Sequence, residues 1–319
     1  MSFRLRAHVA PLISVVLLSA CGSARGAPVT APAPTRTSTA RIVSGVTGRD
    51  VPFASMVEDA SRADVVFFGE THDDEETHRA EFALLSAIGE RREKVVLSLE
   101  MFERDVQPVL DAYLAGRIDE ATFRERSRPW PNYASDYRPL VELAKAKGWP
   151  VIAANVPRPL ASMVSRAGLS AVDTLTAGRR AWVAADLQCP KDKYYENFVE
   201  VMGGGHAAAP QPTTAAPSPM QGMTDLFYEA QCIKDETMAE SIVAARARAG
   251  AGSLIVHYTG SFHSDYALGT VSRVARRAPT ARLVVLSGVP VPAPEQAAIA
   301  ALQARGQYLV IVKRLTPMR

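Results

Sequence analysis

The chain predicts an α/β fold: a mostly parallel sheet of about six strands flanked by helices, with a helical cap inserted between strands. Three observations predict it. Short β-branched runs alternate with stretches of helical periodicity, as in buried parallel sheets covered on both faces. Four of those runs end in polar, chemically capable residues. The composition, 47% hydrophobic and 22% charged over 319 residues, is that of an ordinary globular chain long enough to bury a large core.

The N-terminus is set apart from the fold. Arg4 and Arg6 precede an apolar run over 9–18, followed by Leu18-Ser19-Ala20-Cys21. This reads as a secretory leader over 1–20, too short to span a bilayer, ending in a lipobox that leaves lipid on Cys21. Gly22 after the cysteine points to the outer membrane of a bacterial envelope, with the acyl chains as the membrane partner. Residues 21–40, rich in Ala, Pro, Thr and Ser, read as a flexible tether. The formal charge is +3, and losing Arg4 and Arg6 lowers it by two, to +1, which gives no argument for nucleic acid. Once Cys21 carries lipid, Cys189 and Cys232 remain in an oxidising compartment, and an even pair there predicts a disulfide. Such a bridge closes a loop of roughly 44 residues, worth about 4 kcal/mol in the chain-entropy model.

One α/β domain is expected from residue 41 to 319. A short helix over 53–60 leads to the first strand, 65–68, which ends in Gly69-Glu70-Thr71-His72. Ala80, Ala83, Leu84, Ala87 and Ile88 recur at helical spacing, making 73–88 the first crossover helix. Asp74, Glu75 and Glu76 suit its positive N-terminal end. Strand 94–99 runs into Glu100. Helices follow over 106–114, 118–126 and 137–147, the last closed by Gly148 and Pro150. Strand 150–154 ends at Asn155. The cap comprises 103–148 and 157–250, interrupted by a Pro/Gly-rich loop over 203–219 that can be neither helix nor central strand. Strand 254–256 leads to His257 and Gly260-Ser261-Phe262-His263. A helix over 266–275, a strand over 282–286, a helix over 295–305 and a strand over 308–312 complete the pattern.

Ligands of such sheets bind beyond the carboxyl ends of the strands. Glu70, His72, Glu100 and His263 are therefore expected in one pocket, where carboxylate and imidazole can serve as acid and base. Neutral imidazole with carboxylate also suits Zn, Mn or Fe, with Glu70, His72 and His263 as the expected ligands and an open position to activate water. His78, taken alone, is an ordinary packed or solvated helix residue. No Gly-x-Ser-x-Gly elbow, Cys-x-x-Cys, Walker loop or Gly-x-Gly-x-x-Gly follows any strand.

The run Val65-Val66-Phe67-Phe68-Gly69-Glu70-Thr71-His72-Asp73, with His78 five residues on, resembles the opening motif of ChaN-like haem-binding lipoproteins. These belong to the broader Tiki and erythromycin-esterase superfamily. The likeness continues through Leu99-Glu100-Met101-Phe102-Glu103-Arg104, 130–137, Asn155-Val156-Pro157-Arg158, Tyr194-Tyr195-Glu196-Asn197-Phe198, Ala230-Gln231, 235–242 and Gly260-Ser261-Phe262-His263. The ordered set spans roughly residues 45 to 290. The resemblance implies a lipid-anchored haem carrier in haem or iron uptake. Haem would be held at a homodimer contact by a Tyr oxygen, and an outer-membrane haem receptor is an implied partner. Tyr194 and Tyr195, with Tyr228 behind them, are the tyrosines nominated, and His78 and Asn155 join them as cofactor contacts. The superfamily's hydrolase branches instead imply a reaction centre at Glu70, His72, Glu100 and His263, that of a metal-dependent hydrolase of ester or peptide bonds with Glu100 or Glu70 as base. A third reading is a non-catalytic surface module.

Overall fold

The computed structural model describes residues 39–202 and 219–315. The leader, Cys21, most of the tether and all but the last residue of the expected 203–219 loop lie outside the described residues.

The strands are β1 (Arg41–Ser44), β2 (Val65–Glu70), β3 (Val95–Glu103), β4 (Val151–Asn155), β5 (Leu254–Gly260), β6 (Leu283–Val291) and β7 (Tyr308–Lys313). They form one seven-stranded sheet in the order β1-β7-β6-β2-β5-β3-β4, parallel throughout except for the antiparallel β1–β7 pair. The expectation of about six strands is thus low by one. β1 is four residues long and sits at the sheet edge against β7, so it carries none of the long apolar signature of the central strands.

Strand alternation explains why helices cover both faces. Val66 and Phe68 enter one core with Met56, Leu84 and Tyr137, whereas Val65 and Phe67 enter another with Ile242, Val271 and Val274. Every residue of β2 and β5 is buried, the mark of central parallel strands.

Helices α1 (Phe53–Ser61), α2 (Glu75–Gly89), α3 (Gln107–Leu114), α4 (Glu120–Ser127) and α5 (Arg138–Lys147) fall where the periodicity puts them. Asp74 caps α2, its Oδ1 accepting from the Thr77 amide at 2.8 Å. After β4 come α6 (Arg158–Ala167), α7 (Ala177–Arg180), α8 (Lys193–Met202) and the 31-residue α9 (Pro219–Ala249), so Pro219 opens a helix. No described helix is long and apolar enough to cross a membrane.

Two expected helices differ. The segment after His263 is a short helical turn broken by positive φ at Tyr266 (62°) and Ala267 (55°), and α10 begins only at Gly269 (Gly269–Arg277). A Cβ at Gly269, itself at φ 52°, would lie 2.5 Å from the His263 carbonyl oxygen, so this backbone crossing requires glycine. The expected helix over 295–305 is three short pieces, including α11 (Ile299–Leu302).

The disulfide forms between Cys189 and Cys232, with Cα atoms 5.7 Å apart, and ties the segment before α8 to the middle of α9.

Candidate functional site

β5 is late in sequence but lies between β2 and β3, and this insertion builds the site. Register pairs Glu70 with Gly260, Gly69 with Thr259 and Leu99 with Tyr258. The ends of three strands distant in sequence therefore lie side by side. A cleft of about 560 Å³ opens beyond them, lined by Glu70, His72, Glu100 and His263 among others. Asn155, at the end of β4, lines the same cleft.

Glu70 is fully packed. Its Oε1 accepts from the Tyr137 hydroxyl at 2.7 Å and lies 2.6 Å from His72 Nδ1, while Oε2 lies 3.3 Å from His78 Nδ1. Burial disfavours its charge, yet hydrogen bonds from His72 and His78 hold its carboxyl below the usual range. The His72 ring packs edge-on against Trp130 at 4.8 Å. Burial opposes its protonation too, and the Glu70 hydrogen bond and Glu100 charge raise its pKa nonetheless.

Behind this pair, His78 lies 2.9 Å from Glu81 Oε2, and its Nε2 approaches the His72 carbonyl at 3.2 Å. Burial works against its charge, but Glu81 and Glu70 raise its pKa to about 12. Burial, then the Glu70 charge, push Glu81 well above the carboxylate range. His78 is thus an internal charge and not a lining residue of the cleft.

At the other side of the floor, Glu100 Oε2 accepts from the Gly260 amide at 2.8 Å and the Thr259 hydroxyl at 2.6 Å. Its Oε1 lies 3.4 Å from His263 Nε2. His263 Nδ1 is 2.7 Å from Asp235 Oδ1, which also accepts from Thr270, and Asp235 Oδ2 accepts from Tyr194 at 2.7 Å. Burial opposes the His263 charge, and Glu100 and Asp235 outweigh it, raising its pKa to about 10. Glu100 is held well below its ordinary range, with burial opposing and His263 prevailing. At neutral pH His263 is therefore an imidazolium beside buried carboxylates, a pairing suited to proton donation.

Asp235, Tyr137 and Gln231 are site residues that reading by strand ends passes over. Gln231 and Asp235 sit on α9, whose periodicity marks them only as helix positions, and Tyr137 ends a π-turn (Tyr133–Tyr137). The single sequence signal for the α9 pair is their place in the resemblance.

The expected metal set of Glu70, His72 and His263 is not the one the fold draws together. Among the described residues, the acidic and imidazole ligand atoms that gather within 4.8 Å of one another belong to Glu70, His78 and Glu81, all buried.

The nominated tyrosines separate as well. Tyr194 is buried, its hydroxyl committed to Asp235. Tyr228 is buried too, donating to the Pro190 carbonyl at 2.6 Å. Tyr195 is half-buried, its hydroxyl 2.6 Å from Asp225 and accepting from Gln221 at 2.7 Å. None of the three lines the strand-end cleft.

The chain is similar to several known proteins. The family described as haem-binding uptake, Tiki superfamily, ChaN, matches residues 56–274. The solved structure of ChaN of Campylobacter jejuni, described with cofacial haem binding, superposes with a TM-score of 0.61 at 15% identity, covering 86% of this chain and 97% of that one. An erythromycin esterase mutant in its open conformation gives a TM-score of 0.45 at 11% identity over 88% of this chain and 84% of its own. The Arabidopsis thaliana protein RETICULATA-RELATED 5, chloroplastic, is 25% identical over 195 residues, which is 60% of this chain and a quarter of that protein's length. With the matched span covering most of the α/β domain, the chain belongs to the ChaN-type haem-binding family of the Tiki superfamily.

Proposed function

We propose that this protein binds haem and serves haem or iron uptake at the bacterial cell envelope, anchored by lipid on Cys21 and paired as a homodimer, with an outer-membrane haem receptor as its partner. Family membership supports the haem reading, as does the cofacial haem of the Campylobacter jejuni ChaN structure. The observation that carries it in this chain is at α8 and α9. Val201, Met202, Met223 and Phe227 are apolar side chains left exposed there, on the same two helices as the Tyr195 phenol. A porphyrin needs an apolar face and an axial oxygen or nitrogen.

Of the nominated tyrosines, Tyr195 fits. Its hydroxyl already faces a carboxylate, Asp225, that can hold the phenolic proton. Tyr194 does not fit, because turning it outward would strip a buried partner from Asp235. Haem, when bound, supplies the iron; the chain supplies the phenol and the apolar surface. Titration of the purified protein with haemin tests this. A Soret band that Tyr195→Phe shifts or weakens is expected, and no band from the wild type overturns the reading.

The cleft favours a second reading, hydrolysis of an ester or peptide bond. Water would attack the carbonyl and give its proton to Glu70 or Glu100, while His263, fixed by Asp235 and Glu100, donates a proton to the leaving group and His72 orients the substrate. Turnover of ester or peptide substrates that His263→Ala abolishes supports it. Equal turnover in that variant removes it.

A further inference from the structure

The carboxylates on the floor of the cleft are engaged by neighbouring groups, although Glu70 Oε2, sealed from solvent, accepts no hydrogen bond among the described residues. Glu70 is held by Tyr137, His72 and His78, and Glu100 by Gly260, Thr259 and His263. At the rim, Glu103 is paired with Arg128 at 3.0 Å. Asp73 alone among the lining acids has no ion partner among the described residues, and it lies on the exposed start of the turn into α2.

The donors, by contrast, have capacity to spare. Asn155 is only 8% exposed, and its Oδ1 accepts from the Val156 amide at 2.8 Å. That bond fixes the side chain and leaves Nδ2 without a protein partner among the described residues, on a residue that lines the cleft. Arg158 is the first residue of α6, and no side chain caps that helix end, which carries partial positive charge. Lys234, half-buried on α9 one turn beyond Gln231, also lines the cleft. Neither Arg158, which is exposed, nor the half-buried Lys234 makes an ion pair among the described residues. A buried amide with a spare donor and two cations without ion partners line one cavity.

We propose that the cleft binds the carboxylate or phosphate group of a small anionic molecule, held by Asn155, Arg158 and Lys234. Trp130, Val156 and Phe262 give the same cleft an apolar wall beside the anion site. This goes beyond the haem reading, since the cleft is lined by none of the apolar residues of the α8–α9 face. Two sources share the chemistry: a propionate arm of haem and a free carboxylate or phosphate ester.

Calorimetric titration of the full-length, haem-free protein with inorganic phosphate and with succinate, in low-chloride buffer, tests it. Saturable binding of one anion per chain is expected, weakened about tenfold by Lys234→Gln and by Arg158→Gln, as for loss of one charged hydrogen bond. Lys234→Glu should weaken it further. Melting curves recorded without anion show that the variants fold. Absence of saturable binding to the wild type with either probe, or equal affinity in all the folded variants, overturns the proposal. Haemin titration of the same variants separates the sources. Weaker haem binding by Lys234→Gln assigns the site to a propionate, and unchanged haem binding beside weakened phosphate binding assigns it to a free anion; both support the site. The phosphate arm uses no haem, so it stands or falls independently of the haem reading.

Discussion

His263 and Asp235, 28 residues apart in sequence, meet at 2.7 Å between the imidazole Nδ1 and a buried carboxylate oxygen. The pair locks the turn after β5 to the middle of α9. It aims Nε2 toward Glu100 and fixes which nitrogen reaches the cleft. Such a pair is informative because breaking it leaves a charge buried and alone.

Asp235→Asn preserves shape and removes that charge. The folded pKa of His263, about 10, lies above its unfolded value, so the stabilisation is complete below about pH 6.5 and is lost as pH rises through about 10. Urea unfolding should show the variant less stable by about 3 kcal/mol at pH 7, with the gap narrowing above pH 10. A gap that does not change with pH would count against the ion pair.

His257 predicts the opposite limb. It is fully buried beside Ser98, with Nε2 unpartnered among the described residues, and burial lowers its pKa to about 4. Because the folded value is depressed, stability is intact above about pH 6.5 and falls as pH drops toward about 4, by on the order of 3 kcal/mol. His257→Asn should remove one proton's worth of this slope. The same acid dependence in both proteins would refute the assignment.

The two adjacent tyrosines should behave differently. Tyr194→Phe leaves a buried Asp235 oxygen without its donor and is expected to cost about 1–3 kcal/mol while sparing the haem spectrum. Tyr195→Phe should do the reverse: little change in stability and an altered Soret band. Thermal melts and absorption spectra of both variants decide this.

Gly260 is the contact point between the two halves of the floor. A Cβ there would lie 2.8 Å from His72 Nε2, so Gly260→Ala must displace the imidazole. We expect a stability loss of about 1–3 kcal/mol from overpacking and a shifted His72 resonance by NMR. An unmoved His72 signal would show that the ring is not displaced and would refute this.

The Cys189–Cys232 bridge closes a loop that includes α8 and the first part of α9. Replacing both cysteines by serine should lower unfolding free energy by about 2–4 kcal/mol, read from urea denaturation of the non-reduced proteins. Equal stability would mean that packing among Tyr194, Phe198 and Tyr228 already restrains the segment.

Local chemistry is enough to mark the strands 65–68, 94–99, 150–154, 254–256, 282–286 and 308–312, because a strand buried on both faces must be an unbroken apolar run. It also marks the polar residues at their ends, since those interrupt the runs. β1 escapes because a short edge strand has no such run, and α10 starts late because the positive φ at Tyr266 and Ala267 answers a tertiary crossing with no helix-breaking signal of its own. Only the folded chain could place β5 between β2 and β3, and this sets Glu70 beside Gly260 and Glu100 beside His263. Only it could show that Asp235 reaches His263 from α9, that Gln231 and Lys234 line the cleft, that His78 is sealed behind it, and that Tyr194 is spent on Asp235. The reason is physical: burial along a strand is written in neighbouring residues, whereas the partner of a buried charge is set by which distant segment packs against it.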